Sequence, residues 1–283
     1  MTFISYAQNF EDVILQRCFA NIKNGFYIDL GAWSPDIDSV TKSFYLRNWT
    51  GINVEPNPKF HKELLEKRPR DINLCVAVSD DEGVAKMTIL EGIGSGMSTL
   101  DNKIALKHFR NGWKSTAQIV RTISLKTIFK DYVSNSKKVH FLKIDVEGFE
   151  AKVLLSNDWK KNRPWVILIE STFPGSNRAS FSAWEPILIK ANYLYVYTDG
   201  LNRFYLAKEK KELVSKFDCP PNVFDEFIQY RTFFAEEESR SLNQKIEYLK
   251  NEIENIKNTF SWRVTKPLRK IKKMYLSLFL GKL

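Results

Sequence analysis

The amino-acid sequence predicts an α/β protein in which a mostly parallel sheet is closed by an antiparallel hairpin and followed by a helical extension. Two observations support this fold class. Apolar strand segments alternate with helical segments between residues 26 and 191. Two aromatic-rich runs then flank Asp199-Gly200, which is a hairpin signal. Because helices that alternate with strands cover both faces of a sheet, we expect the strands to be buried.

Apolar periodicity and turn residues define the elements of the first half of the chain. They are a helix over 9–20, a strand over 26–30, a helix over 39–48, a strand over 51–54, a helix over 61–67, a strand over 73–78 and an extra edge strand over 83–90. The segment 91–98 is rich in glycine and is expected to be a mobile loop.

The second half continues the alternation and ends in the hairpin. Its predicted elements are a strand over 139–144, a helix that begins near residue 148, a strand over 165–169, a helix over 184–191, and two hairpin strands over 193–198 and 203–206. Parallel βα units closed by an antiparallel hairpin match the Rossmann-like sheet of class I methyltransferases, whose last strand is antiparallel.

Composition limits the kind of protein. A chain of 283 residues with 43% hydrophobic residues fits one substantial domain with an appendage. The three cysteines are far apart and form no Cys-x-x-Cys pair, which argues against a disulfide framework or a zinc site and favours the cytosol. The N-terminal residues lack the pattern of a signal peptide, and no run is long enough to span a bilayer.

The first chemical motif is a βαβ unit with a single glycine in its turn. Gly31 follows one predicted strand and allows a tight turn close to a ligand, while Glu55 ends the next strand, where a carboxylate can accept hydrogen bonds from a ribose. The glycine pattern that holds a pyrophosphate is missing. A cofactor with adenosine but no phosphate, S-adenosylmethionine, therefore fits better, with its ammonium group near Asp29. An ordinary βα turn in an unrelated α/β protein is the alternative.

The second motif is acidic. Asp145 and Glu170 end neighbouring predicted strands at the same sheet edge as Gly31, and Glu147 follows Asp145 closely. Such carboxylates could deprotonate an alcohol, orient it, or hold a divalent cation, and the sequence does not decide whether a metal is used. For Glu147 and Glu150, stabilisation of a helix N-terminus is the alternative. His140 is expected to be a packed or surface histidine rather than a base.

Together these motifs resemble the FkbM-type methyltransferase family. The matching stretches are 5–12, 26–35, 51–56, 77–80, 98–100, 142–150 and 199–204, in that order. The resemblance implies a Rossmann-like fold, S-adenosylmethionine as donor, and O-methylation of an alcohol, often on a sugar. By position it places the cofactor against Asp29, Gly31, Ala32 and Glu55, the adenine beside Ala77 and Ser79, and the transferred methyl near Asp145. Gln8 and Glu11 are assigned to the cofactor site on the match alone. Trp33 departs from the small polar residue of many members and could narrow the site.

The C-terminal region has a different pattern. Apolar residues at 242, 246, 249, 253, 256 and 260 form an a/d seam, which predicts a short coiled coil over 231–260 that mediates self-association. An amphipathic helix that packs on the first domain, 1–230, is the alternative. The net charge of +10 is concentrated in residues 261–283, which carry seven Lys or Arg and no acid. This tail resembles the segment after coiled coils in bacterial surface-polysaccharide enzymes.

The basic tail also predicts a partner. Its apolar and cationic faces suit an anionic membrane surface, so the protein is expected to be cytoplasmic, either free or peripheral on the cytoplasmic membrane. A solvated basic tail is the alternative, and no nucleic-acid motif accompanies the charge. Two functions remain: an O-methyltransferase that modifies a glycan during surface-polysaccharide synthesis, or a non-catalytic adaptor with a methyltransferase-like domain. A NAD-dependent sugar enzyme is disfavoured by the missing glycines.

Overall fold

A computed structural model describes residues 2–280, without the side chains of Ile93 and residues 277–280. The chain divides into two compact units, Met1–Ile228 and Gln229–Leu283. The first unit contains the sheets and the second is helical. A further division of the helical part near residue 260 stays a prediction.

The elements alternate between strand and helix, as predicted. The strands are β1 (Phe3–Ser5), β2 (Phe26–Leu30), β3 (Thr50–Val54), β4 (Ile72–Leu74), β5 (Ala77–Val78), β6 (Gly83–Leu90), β7 (Ser115–Ile123), β8 (Phe141–Ile144), β9 (Val166–Glu170), β10 (Tyr193–Thr198), β11 (Asn202–Ala207) and β12 (Phe227–Gln229). The helices are α1 (Glu11–Phe19), α2 (Lys42–Leu46), α3 (Pro58–Lys67), α4 (Asn102–Arg110), α5 (Leu125–Tyr132), α6 (Glu150–Leu155), α7 (Glu185–Lys190), α8 (Tyr230–Asn258), α9 (Phe260–Val264) and α10 (Lys266–Leu280). Short 3-10 helices cover Gly92–Met97, Phe181–Ala183, Lys208–Phe217 and Val223–Asp225.

The main sheet has seven strands in the order β10-β11-β9-β8-β2-β3-β4. Neighbours from β9 to β4 are parallel, whereas β11 is antiparallel to both β9 and β10. Every residue of β2 is buried, as are the four apolar residues of β9. This confirms the expectation that the central strands are buried.

The prediction of one strand over 73–78 was wrong. The chain leaves the main sheet after Leu74, and β5 joins a separate three-stranded sheet in the order β5-β7-β6. Val76 and Val78 pack into the core of the main sheet, while Ala77 belongs to the core of the small sheet. Because both sets of side chains are apolar, the sequence alone shows no break between the two sheets.

The region between residues 91 and 132 also differs from expectation. The predicted mobile loop is a 3-10 helix. β6 has the predicted bounds and is an edge strand, as predicted, and it belongs to the small sheet. The helices α4 and α5 and the strand β7 were not predicted. The first three residues of β7 are small and exposed, and its buried residues lie at its C-terminal end, so its apolar signal is short. Asp101 caps α4 by accepting hydrogen bonds from the backbone amides of Lys103 and Ile104.

A buried carboxylate aligns the first two parallel strands at their beginnings. Asp71, just before β4, accepts hydrogen bonds from the Tyr27 hydroxyl (2.6 Å), the Gly51 amide (2.8 Å) and the Asn53 side-chain amide (3.0 Å). Tyr27 lies in β2, and the other two residues lie in β3. The network therefore links β2 and β3 to a single side chain that lies just before β4.

His140 is a packed residue of the core rather than a candidate base, as predicted. It is buried just before β8, and its Nδ1 accepts a hydrogen bond from the Phe26 amide at 3.0 Å. Its ring packs between the indoles of Trp49 and Trp165, with ring centroids 5.1 and 4.7 Å away. Burial lowers the pKa of His140 to about 4, so the imidazole is neutral at pH 7.

The second unit consists of helices α8, α9 and α10. The predicted seam lies on α8 as far as Ile256, but Phe260 falls in α9 because Thr259 is extended (φ −64°, ψ 149°) and caps the next helix. The seam is therefore shorter than predicted. Of the predicted tail, Lys282 lies outside the described residues, as does the side chain of Leu278. Within residues 2–280, no helix is both long enough and apolar enough to cross a bilayer.

Candidate functional site

A cavity of about 450 Å³ opens at the carboxyl edge of the main sheet. The strands β2, β3, β8 and β9 all end there, with Gly31, Glu55, Asp145 and Glu170 on its wall. This volume lies within the range of about 300–1,000 Å³ that is usual for small-molecule sites. Such an edge is also where open α/β sheets bind their ligands.

Gly31 permits the tight turn that begins this site. It has a φ of 78°, and its amide and that of Ala32 donate hydrogen bonds to the Val54 carbonyl at 3.0 and 3.1 Å. A Cβ atom at Gly31 would lie 1.8 Å from the Asp145 carbonyl oxygen. Only glycine therefore allows the turn to approach both β3 and the segment after β8.

Glu55 is held by the backbone at the end of β3. One carboxylate oxygen accepts a hydrogen bond from the Trp33 amide (2.9 Å), and the other accepts one from the Asn57 amide (2.8 Å). Burial raises the pKa of Glu55 to about 7 despite these donors. A carboxylate has about four acceptor positions, so two remain for a ligand in the cavity.

Trp33 forms the wall between the glycine turn and the 3-10 helix Gly92–Met97. Its φ is 45°, and its indole nitrogen donates to the Ser95 hydroxyl at 3.2 Å. Its ring centroid is 5.5 Å from that of Phe60. This bulky residue lines the cavity, and narrowing of the site by its ring stays a prediction.

Lys143 was not assigned to the site from the sequence, although it lines the cavity. Its Nζ donates to the Gly31 carbonyl (3.1 Å) and lies 3.4 Å from Asp29 Oδ1 and 3.3 Å from Asp145 Oδ2. Burial alone would lower the pKa of Lys143, but the two carboxylates raise it above its usual value. The signal available in the sequence was a single lysine inside an otherwise apolar strand.

Three carboxylates converge on the cavity beside this lysine. One oxygen from each of Asp145, Glu147 and Glu170 lies within 4.8 Å of the other two. Glu147 has a left-handed backbone (φ 51°), and the hydroxyl of Thr99 donates to its carbonyl at 2.7 Å. Burial and the neighbouring acids raise the pKa of Glu170 to about 10, and they raise that of Glu147 well above its usual value.

Apolar side chains form the rest of the wall near the small sheet. The apolar lining residues in this part are Val54, Val76, Ala77, Val78, Met87 and Leu100. A flat aromatic group fits such a surface because it buries apolar area without losing polar contacts.

The structure brings most of the predicted site residues together. Eight of them line the cavity: Gln8, Gly31, Ala32, Glu55, Ala77, Asp145, Glu147 and Glu170. Their individual roles stay predictions.

Three predicted cofactor residues do not reach the cavity wall. The two oxygens of Glu11 accept hydrogen bonds from the side-chain amide of Asn202 and the backbone amide of Asn9. Asp29 is 2% exposed because its register partner Lys143 covers it. Ser79 is buried one residue after β5, where its hydroxyl donates to Asp80. Direct contact of these side chains with a ligand is therefore not supported.

Comparison with known proteins agrees with the geometry of this site. A family model described as the methyltransferase FkbM domain matches residues 18–197, which include the five parallel strands of the main sheet and most of the cavity wall. No curated protein matches the chain.

Proposed function

Because the chain belongs to the FkbM methyltransferase family, we propose that it transfers a methyl group from S-adenosylmethionine to a hydroxyl of a sugar or glycan. The family supplies the methyltransferase activity and implies the donor. The hydroxyl acceptor, its sugar nature and a role in surface-polysaccharide or glycolipid synthesis are our inferences. The sheet order and the antiparallel β11 support a Rossmann-like class I arrangement.

The cavity fits the donor chemically. The turn at Gly31 allows close approach of a ligand, the wall around Ala77 is apolar enough for an adenine, and Glu55 retains free acceptor positions for the ribose hydroxyls. Bound there, S-adenosylmethionine supplies an electrophilic methyl group on a sulfonium. No pyrophosphate-binding glycine pattern competes with this assignment.

The observation that carries the proposal is the position of Asp145. Its backbone contacts the glycine turn, its side chain lies on the cavity wall, and Glu170 lies beside it. In this proposal the Asp145 carboxylate accepts the proton of the acceptor hydroxyl as the oxygen gains its methyl group. Lys143 holds Asp145 in place through the 3.3 Å ion pair and ties it to the carbonyl of Gly31.

Calorimetric titration of the full chain with S-adenosylmethionine tests the donor assignment. Glu55→Ala removes hydrogen bonds that are worth about 1.5–3 kcal/mol each when the acceptor is charged, so affinity should fall at least tenfold. Glu55→Gln keeps the shape and serves as a second variant, because the alanine also frees the amides of Trp33 and Asn57. Glu91→Ala, an exposed carboxylate off the cavity wall, is the control.

Absence of donor binding to the folded wild-type chain would refute the enzymatic proposal. Unchanged affinity in both folded Glu55 variants would refute only the role of Glu55. Labelled donor with a panel of nucleotide sugars and lipid-linked glycans would then identify the acceptor.

A second candidate function is a non-catalytic adaptor in a polysaccharide assembly complex. It is favoured by the helical unit, whose seam residues Leu249 and Ile253 are about half exposed within the described structure. In either function we propose that α8 self-associates and that α10 binds an anionic membrane surface. Donor binding separates the two functions, because an adaptor does not require S-adenosylmethionine.

A further inference from the structure

Asp145, Glu147 and Glu170 form an acidic cluster in which two carboxylate oxygens are inaccessible to solvent and accept no hydrogen bond from the described residues. Glu147 is only 9% exposed, and its Oε2 has no hydrogen-bond partner among the described residues. Oε2 of Glu170 is likewise inaccessible to solvent and has no hydrogen-bond partner among the described residues. Burying a carboxylate without a partner is unfavourable, so these two atoms call for a ligand that carries positive charge or a proton.

Lys143 does not meet that need. Its ammonium lies between Asp29 and Asp145 and donates to the Gly31 carbonyl. The ammonium of Lys143 is therefore shared by Asp29 and Asp145, and it forms no ion pair with Glu147 or Glu170. The cluster retains an excess of negative charge at the wall of the cavity.

We propose that Asp145, Glu147 and Glu170 together bind one divalent cation of the class that prefers oxygen ligands. Opposite oxygens are separated by about 4.6–5.2 Å around Ca²⁺ and by about 4.0–4.2 Å around Mg²⁺, from the usual metal–oxygen distances. The three carboxylate oxygens lie within 4.8 Å of one another, so a single cation can contact all of them after small side-chain movements. A ligand set of three carboxylates, without His or Cys, favours Mg²⁺, Mn²⁺ or Ca²⁺ over Zn²⁺.

Such a cation leaves coordination positions open toward the cavity. Six ligands are usual for these ions, and the protein supplies three, so oxygens of water or acceptor can occupy the rest. A hydroxyl bound there loses its proton more readily and is held in a fixed position. This role rests on the proposed methyl transfer, whereas binding of the cation does not.

Mn²⁺ is a suitable probe because its free ion is measured directly by electron paramagnetic resonance. We expect one site per full chain after removal of bound metals with a chelator. Glu147→Gln and Glu170→Gln keep the side-chain shape and should each weaken Mn²⁺ binding at least tenfold. Glu150→Gln is the matched control: Glu150 is also buried and nearby, but it does not belong to the group of three converging carboxylates, and its Oε1 accepts a hydrogen bond from the Gly148 amide. Its effect should be threefold or less.

Thermal unfolding gives a second measurement that does not depend on activity. Mn²⁺ should raise the Tm of the wild-type chain, since a ligand that binds only the folded state stabilises it. It should raise the Tm of Glu170→Gln far less. Without metal, Glu170→Gln should be about as stable as the wild type, because glutamine keeps the shape of the side chain and buries no charge beside Asp145 and Glu147. Equal stability would show that the variant folds.

Three results would overturn the proposal. The first is a wild-type chain without a Mn²⁺ site. The second is an equal loss of affinity in Glu150→Gln, which would indicate general attraction of cations. The third is donor affinity that depends on Glu147 and Glu170 in a chain that binds no Mn²⁺, which would assign the cluster to the donor's ammonium group. Titration of S-adenosylmethionine in chelator shows independently whether the proposed function holds.

Discussion

The carbonyl oxygen of Asp145 lies 1.8 Å from the position that a Cβ atom would occupy at Gly31. The two residues belong to segments that are more than a hundred positions apart in the chain, and each follows a strand of the same sheet. Close packing of these two backbones brings the glycine turn and the acidic cluster to one wall of the cavity.

Gly31→Ala should destabilise the protein strongly. The left-handed backbone costs about 1–2 kcal/mol for a residue with a Cβ atom, and overlap with fixed backbone adds about 1–3 kcal/mol. Gly112→Ala is the matched control, because Gly112 has a φ of 79° but no atom within 4 Å of an added Cβ. Urea unfolding should show a larger loss for Gly31→Ala, and equal losses would contradict the packing argument.

Asp145→Asn should slow methyl transfer by a factor of about 100 or more, as is typical when a general base is lost. The fold should survive because Lys143 retains its contacts with Asp29 and the Gly31 carbonyl. Single-turnover rates with labelled donor measure the effect, with Asp80→Asn, an acid outside the cavity wall, as control. Near-normal turnover in Asp145→Asn would exclude both a base and a required metal ligand at this position.

His140 should remain neutral until the pH falls far below the usual histidine range. Its pKa is lowered to about 4 by burial, against about 6.5 in an unfolded chain. The folded state therefore binds this proton less tightly than the unfolded state. The contribution to stability is complete above pH 6.5 and is lost as the pH falls toward 4.

Nuclear magnetic resonance of the imidazoles checks this expectation. The sequence contains three histidines, so the signal of His140 can be identified by its loss in His140→Asn. Titration of that signal near pH 6.5 in the folded protein would show that the ring is not sealed by Trp49 and Trp165.

Charges introduced on the α8 seam should prevent self-association. Leu249→Asp combined with Ile253→Asp places two carboxylates on the apolar face, whereas Asn251→Asp combined with Asn255→Asp adds the same charge away from that face. Analytical ultracentrifugation of the full chain should show oligomers for the wild type and the asparagine variant, and monomers for the seam variant. Identical sedimentation of all three would argue against a coiled coil.

Removing three positive charges from the tail should weaken binding to anionic vesicles. Each cation near an anionic surface contributes about 1 kcal/mol, so replacing Lys270, Lys272 and Lys273 by Gln should weaken binding of the full chain roughly 100-fold. Co-sedimentation with vesicles of phosphatidylglycerol and phosphatidylcholine, at low and high salt, measures this loss. Binding that persists unchanged in the triple variant would place the membrane contact elsewhere.

The sequence predicted those parts of the fold that have a local signature. The observed bounds of β2 agree with the prediction, and those of β3, β8 and β9 agree within two residues, because each strand is a short apolar run bounded by turn residues. The split between β4 and β5 was not predictable in this way, since Val76 and Ala77 are both buried but in different cores. β7 was missed because most of its side chains are exposed.

Residues of the candidate site were predictable from the sequence where they lie at the carboxyl end of a strand. Gly31, Glu55, Asp145 and Glu170 all follow this rule and all line the cavity. Asp29 and Lys143 follow a different rule, because they are register partners inside the sheet and the lysine covers the aspartate. The pairing of Asp29 with Lys143 exists because β2 and β8 are neighbours in the sheet. The spacing of residues within one segment does not reveal which strands are neighbours.

The hydrogen bonds of Asp71 bear on the geometry of the cavity, because they fix the register of two strands that end at its wall. They join β2 and β3 where these strands begin, about 13 Å from Gly31 and Glu55 at a rise of about 3.3 Å per residue. A slip of one strand past the other would turn every side chain to the opposite face and separate the turn from the carboxylate that holds it. We therefore expect the geometry of the cavity to depend on Asp71, which does not line it. A search for activity-altering substitutions confined to the cavity wall would overlook it.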